Sequence, residues 1–173
     1  MKVAIITDQH IGYKKGSKLY HEYFQKFYEE VFFPTIDKEG ITTVLDLGDT
    51  FDNRKGVDLY SLDWAKKYYF DPLHLRGISM VSIIGNHTSY YKNTHEINTN
   101  NLLLREYSNI TVLSECTELN VGGLDVLFIP WINFDNKVRT YEKIEKTKCK
   151  VAMGHLELNG FTATHGHIME HGD

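Results

Sequence analysis

Cysteine is almost missing from this chain: Cys116 and Cys149 are the only two among 173 residues, and neither has a metal-type partner nearby. That argues against a sulfur-ligated centre, suits a reducing compartment and leaves both thiols as small buried hydrophobes. Proline is scarce too, three residues in all, while 42% of the chain is hydrophobic and 24% charged, which excludes a disordered polymer. No apolar run approaches the roughly 18 residues of a membrane span. The opening "MKVAIITD" is too short for a signal h-region and runs into Asp8, so a cytoplasmic protein without a membrane segment is expected. An excess of basic charge is lacking as well. The formal net charge of −4 gives no support for non-specific nucleic-acid binding through bulk charge, yet a local basic patch or a bound cation can still meet a polyanion. Linkers, repeats and low-complexity tracts are absent, and 173 residues suffice for one domain with its own core.

What is present is alternation. "KVAIIT" (2–7) is a continuous β-branched run of the kind buried parallel strands show. Residues 18–40 carry apolar side chains at helical spacing, with Pro34 as a late kink or break and Gly40 as the stop. A second strand follows at 41–49, then a helix over 58–77 with Asp58 as N-cap and Gly77 as C-cap signal. A third strand (78–86), a shorter helix (97–107) and a strand over 109–115 continue the pattern. From 116 the texture changes: "CTELNVGGLDVLFIPW" reads as a hairpin about Gly122-Gly123, followed by a polar helix (136–148) and a strand (149–155). Strand–helix alternation followed by a hairpin implies a layered α/β fold with mixed sheets flanked by helices.

Metal-ligand side chains stand where four of these strands end. "TDQH" offers Asp8 and His10, two apart, which on an extended chain point the same way. "GDTFD" offers Asp49 and Asp52, "GNH" offers Asn86 and His87, and "GH" offers His155. In open α/β sheets the loops after the strand carboxyl ends converge, and ligands bind there. Carboxylate, imidazole and amide donors suit borderline-to-hard divalent ions such as Mn²⁺, with Mg²⁺, Zn²⁺ or Fe²⁺ as further choices. Each motif alone is ordinary turn punctuation. Four in order, three of them introduced by glycine, are not.

In this order "DQH", "GDTFD", "GNH" and "GH" resemble the calcineurin-like metallophosphoesterases over essentially the whole chain. "GDTFDNRK" and "GHLELNGF" look like the SbcD-type DNA-repair nucleases, and "GNH…YKN…H" and "IPW" look like the recombination-endonuclease subunits of T-even bacteriophages within that branch. The resemblance implies two divalent metals, Mn²⁺ foremost. Asp8 and His10 would bind the first, Asp49 would bridge, Asn86 and His155 would bind the second, and His87 would act beside the scissile phosphate. It also implies Asp52 as a partner orienting a ligand imidazole, DNA as substrate, an SbcC-like coiled-coil ATPase as partner subunit, and a homodimer built on helices. A phosphatase or cyclic-nucleotide phosphodiesterase, and a non-catalytic fragment, are the alternatives.

Two departures from the family pattern stand out. Thr88 follows Gly-Asn-His where an acid is common. The final Gly-His-x-His is also missing. "THGHI" carries His165 and His167 at the right spacing, but Thr164 stands in the place of glycine and the pair comes only ten residues after His155. The tail is therefore read as a loop, and residues 1–173 as the N-terminal portion of the phosphoesterase domain. Basic residues cluster near the strand-end loops, with Lys14, Lys15 and Lys18 after the first and Arg54 and Lys55 after the second. Lys14, Lys15, Arg54 and Lys55 are candidate DNA contacts, weighed against an ordinary solvated surface. Aromatic stripes (Tyr20, Tyr23, Phe24, Phe27, Tyr28, Phe32, Phe33 and Tyr60, Trp64, Tyr68, Tyr69) read as core or interface. His95 is open between a structural and a DNA-contacting role.

Overall fold

The computed structural model describes residues 1–164, 167–170 and 172, and of 163, 164 and 167 it describes the backbone alone. Four strands form an all-parallel sheet in the order β1 (Ala4–Ile6), β2 (Thr43–Asp46), β3 (Ser79–Ile83), β4 (Ile110–Leu113). A second sheet pairs β5 (Thr117–Val121) antiparallel with β6 (Leu124–Ile129), and β6 parallel with β7 (Val151–Gly154). Gly122 and Gly123, both at positive φ, make the two-residue turn between β5 and β6.

Alternation along the strands sorts their side chains into layers. Val44 and Met80 face an aromatic core with Tyr28, Phe32, Trp64, Tyr69 and Phe70 from the two long helices. Leu45 and Ile83 point the other way and meet Val126 and Phe128 between the sheets. Leu127 and Ile129 continue outward against Tyr141 of the helix Lys137–Lys146. The order is thus helices, parallel sheet, mixed sheet, helix. Both cysteines pack against that outermost cluster, where burial pushes the Cys116 thiol up to about 11.

Three expectations need correction. Pro34 does not break its helix, which runs from 18 to 39 through a wide π-helical stretch, Phe27–Phe32, just before Phe33–Glu39. The second long helix repeats the device, with Lys66–Phe70 ahead of Asp71–Leu75 and Pro72. A proline ring clashes with the carbonyl one turn back, and a widened turn moves that carbonyl away. Second, β1 is shorter than its apolar run and lies at the margin of the parallel sheet, so Ile5 is 52% exposed rather than buried. Third, the backbone of the tail is not a loop throughout. Thr162–Thr164 pairs antiparallel with His167–Ile168, while His165, His171 and the side chain of His167 lie outside the described residues. Among the described residues no helix is long and apolar enough to cross a membrane.

Candidate metal centre

The loops after β1 and β2 are laced together by main-chain bonds. The amides of Asp8, His10 and Ile11 donate to the carbonyls of Gly48, Asp49 and Thr50 at 3.0, 2.9 and 2.9 Å. Asp8 and His10 are not extended as the motif spacing suggested. Both are left-handed (φ 52° and 44°), as is Asp49 (φ 51°). Such backbone costs on the order of 1–3 kcal/mol per residue and persists where surrounding bonds enforce it. The two side chains still meet, His10 Nε2 lying 3.7 Å from Asp8 Oδ1.

Asp49 is the hub. Its Oδ2 lies 3.4 Å from His155 Nε2 and 3.9 Å from His10 Nε2, and its Oδ1 accepts the backbone amide of His87 at 2.8 Å. The ligand atoms of His10, Asp49 and His87 fall within 4.8 Å of one another, as do those of Asp8, Asp49 and His155, so the two triads share one carboxylate. Asn86 joins through Oδ1, 3.0 Å from His155 Nε2. Asp52 touches two imidazoles. Its carbonyl lies 2.6 Å from His87 Nδ1, and its Oδ1 lies 3.2 Å from His10 Nδ1, within ion-pair range but not aligned as a hydrogen bond. All seven predicted residues thus converge. The two triads set Asp8 with His155 and His10 with His87 about Asp49, whereas the motifs group Asp8 with His10, 3.7 Å apart.

Glycine makes this convergence sterically feasible. A Cβ on Gly48, at φ +100°, would sit 2.7 Å from His155 Nδ1, and one on Gly85 would collide with the Asp49 carboxylate.

Electrostatics favour a cation. Burial opposes ionisation of Asp49, but its hydrogen bond and charge interaction with His155, with the His87 amide and imidazole, outweigh it and hold the carboxyl below its usual range. Burial likewise disfavours charge on His155, yet Asp49 beside it, the Leu47 carbonyl and Asp8 raise its pKa. His155 Nδ1 lies 2.9 Å from the Leu47 carbonyl and donates there, which turns Nε2 toward the Asn86 and Asp49 oxygens. Three acceptors facing one another need a shared positive charge, either a proton on the ring or a metal ion. The donor set, oxygen and imidazole without thiolate, fits a divalent cation of borderline-to-hard character.

Beneath the loops lies a buried polar chain with no signature in the sequence. Asp46, fully buried, accepts from Thr50 Oγ1 (2.8 Å), Gly48 N (3.2 Å) and Gln9 Nε2 (3.3 Å). Tyr28 donates to Gln9 Oε1, and Asn100 Nδ2 donates to both Thr50 Oγ1 (3.1 Å) and Ser82 Oγ (2.9 Å). Gln9 sits between Asp8 and His10, and Thr50 follows Asp49, so the chain underpins both ligand loops. Burial pushes Asp46 up to about 7 against the pull of these hydrogen bonds and of His155. Thr88, where an acid is common, is buried and exchanges bonds with Gly85 N and O at 3.0 Å, fixing the turn that carries Asn86 and His87.

The basic candidates follow the ligand loops in the chain. Lys14 and Lys15, both left-handed, line a cavity of about 400 Å³ with Asp52 and Asn53. Lys14 Nζ also lies 5.4 Å from the Tyr20 ring, and Lys18 Nζ 5.7 Å from that of Tyr60. Arg54 stacks on Trp131 at 5.1 Å and reaches the Ser89 carbonyl at 3.5 Å, while Lys55 joins it along a neighbouring recess. His95 is buried, with Nδ1 2.9 Å from the Ser114 carbonyl and the Trp131 ring 6.2 Å away, which is a structural placement.

The profile of the calcineurin-like phosphoesterase family matches residues 1–172. Exonuclease subunit 1 of Enterobacteria phage T4 is 31% identical over 164 residues, covering 93% of this chain and 47% of that protein. The chain therefore spans about half the length of the curated relative it matches. Among solved structures, a protein of unknown function from Aquifex aeolicus shares the fold with a TM-score of 0.50 and 18% identity, over 91% of this chain and 80% of the other.

Proposed function

The chain belongs to the calcineurin-like phosphoesterase family, and from that premise we propose that it forms the metal-binding part of a Mn²⁺-dependent DNA nuclease of recombination and repair. The observation that carries the reading is Asp49 standing at the common vertex of two ligand triads. A shared carboxylate with two oxygens is the residue type that can hold two cations side by side. In the grouping the motifs imply, which crosses these triads, Asp8, His10 and Asp49 would hold one ion, and Asp49, Asn86 and His155 the other. Two bound divalent cations supply Lewis acidity toward the phosphoryl oxygens and lower the proton affinity of the attacking water.

This chain's residues do the rest. Asp49 stays ionised because His155 and the His87 amide hold its charge. His155 is oriented through Nδ1 by the Leu47 carbonyl, and the Asp52 carbonyl sets the ring of His87 while its carboxylate stands 3.2 Å from His10 Nδ1. His87 donates through Nδ1 to the Asp52 carbonyl and so presents Nε2 to the substrate side, where an imidazole can hand a proton to a leaving sugar oxygen. Lys14, Lys15, Arg54 and Lys55 would meet flanking phosphates.

The phage relative is named as a subunit, which supports a multi-subunit assembly. We assign an SbcC-like coiled-coil ATPase as partner and a homodimer, acting in the cytoplasm, that of the host if phage-encoded. Leu19, Tyr23, Phe27 and Val31, spaced by four along the first helix and all exposed, supply an apolar stripe for self-association.

The test is cleavage of linear duplex and single-stranded DNA by the complete gene product with Mn²⁺, beside a nitrophenyl phosphate diester. DNA cleavage abolished by His87→Ala with metal binding retained is the expected result. Hydrolysis of the small diester with no DNA cleavage would overturn the nuclease reading.

A further inference from the structure

We propose that the recess between loop 53–57 and segment 90–103 is a nucleobase subsite, which takes the base of one unpaired nucleotide beside the scissile phosphate without reading its identity. The inference rests on the nuclease reading and adds a preference within it.

The recess measures about 160 Å³. Its walls are apolar, from Val57, Ile97, Leu102 and Leu103, with the ring of Tyr90. Three of these side chains stand well out in water: Tyr90 at 39%, Ile97 at 40% and Leu102 at 49% exposed. An apolar hollow is an unexpected lining beside a site for polyanions, unless the polyanion carries apolar faces of its own. DNA does, in its bases.

The hollow is tied rigidly to the centre. Arg54 lies two residues beyond Asp52 and bonds the Ser89 carbonyl, two residues beyond His87. Tyr90 N donates to the Ile97 carbonyl at 2.9 Å and Thr99 N to the Thr88 carbonyl at 2.9 Å, so a short ladder links the far wall to the turn holding His87. Arg54 and Lys55 at the rim complement the backbone charge on either side of an inserted base. A base suits this hollow because Arg54 and Lys55 line it and its far wall is bonded to the turn that carries His87; an apolar peptide would gain nothing from those cations.

The amide and hydroxyl side chains of the wall, Asn98 and Thr99, are already engaged. Asn98 Oδ1 accepts from Asn101 N at 2.8 Å and its Nδ2 donates to the His95 carbonyl at 2.8 Å. Thr99 Oγ1 is directed at the Thr88 carbonyl (3.4 Å) and Asn100 Oδ1 (3.3 Å). Stacking and burial remain, and these are sequence-tolerant. A base pair is too large for the hollow, so the nucleotide must leave its partner, which favours single strands, frayed ends and mismatches over intact duplex.

The experiment uses the complete gene product with Mn²⁺ on single-stranded oligonucleotides that carry either a normal nucleotide or an abasic residue beside one cleavable linkage. We expect KM to rise roughly tenfold for the abasic substrate, in line with the worth of one stacked base, with kcat little changed and all four bases equivalent. Tyr90→Ala, at an exposed position, should erase the difference while Tyr90→Phe keeps it. Equal KM for abasic and normal strands, or a strong preference for one base, overturns the subsite and leaves the nuclease reading standing. Cleavage of neither strand, with the nitrophenyl diester still hydrolysed, overturns the nuclease reading and the subsite with it.

Discussion

The two sheets contribute to the centre in different ways. The parallel sheet delivers Asp8, His10, Asp49, Asn86 and His87 from the ends of three strands. Its loops include left-handed backbone at Asp8, His10 and Asp49, and Asp46 and Asn100 lock them from below. Among the described residues the mixed sheet delivers only His155, at the end of β7, with ordinary backbone and one orienting bond to Leu47. The first half of the site is strained and cross-braced, while the second is a single imidazole swung into place. Geometry is thus stored in one sheet and completed by the other.

The largest break would come at the hub. Asp49→Asn removes the charge common to both triads, so calorimetric Mn²⁺ titration should show both sites lost and DNA cleavage at background. A tight site surviving in that variant would show that Asp49 is not shared. His155→Ala should cost less, with the stoichiometry falling from two to one and the remaining site unchanged. Loss of both ions on removing His155 would erase the contrast between the sheets.

The buried bracing gives a pH effect next in size. Asp46 titrates at about 7 in the folded chain against an ordinary 3.8, so the unfolded chain releases this proton first. Stability should then fall as pH rises from about 4 to 7, by at most about 4 kcal/mol, with the full loss present above 7. Denaturant midpoints across that range should flatten in Asp46→Asn, and an unchanged slope would refute the assignment. Smallest is Asn100→Ala, which deprives Thr50 and Ser82 of a donor. We expect about 1–3 kcal/mol of stability and roughly ten- to a hundredfold of metal affinity to be lost. Cys149→Ala, in the outer cluster of the mixed sheet, should leave metal affinity untouched.

That six ligand-type side chains converge was legible in "DQH", "GD", "GNH" and "GH", because strand ends in a parallel sheet share one edge and the motifs mark those ends. The means of convergence was not. Asp8 and His10 meet through left-handed turns, although their spacing suggested an extended chain. Asn100 supports Thr50 across 50 residues, and no local pattern announces a contact between two side chains so far apart in sequence. The helical spacing before Pro34 and Pro72 marked helices, but the π-helical turns that admit those prolines leave no period of their own. Gly48 and Gly85 read as turn residues, whereas their closest demand is room for His155 and Asp49.

The parallel pairing carries a consequence for rates. Ala4 must find Val44, Thr43 must find Ser79 and Met80 must find Ile110, each across a helix or loop still searching for its own place. Such topologies reach their transition state slowly, because loop closure precedes any reward from contact. Asp8 and Asp49 cannot grip one cation until the first of those pairings exists, and His155 joins only after β7 has docked on β6. A metal held by these residues would therefore arrive at a nearly finished chain, and would slow unfolding while leaving the speed of folding unchanged.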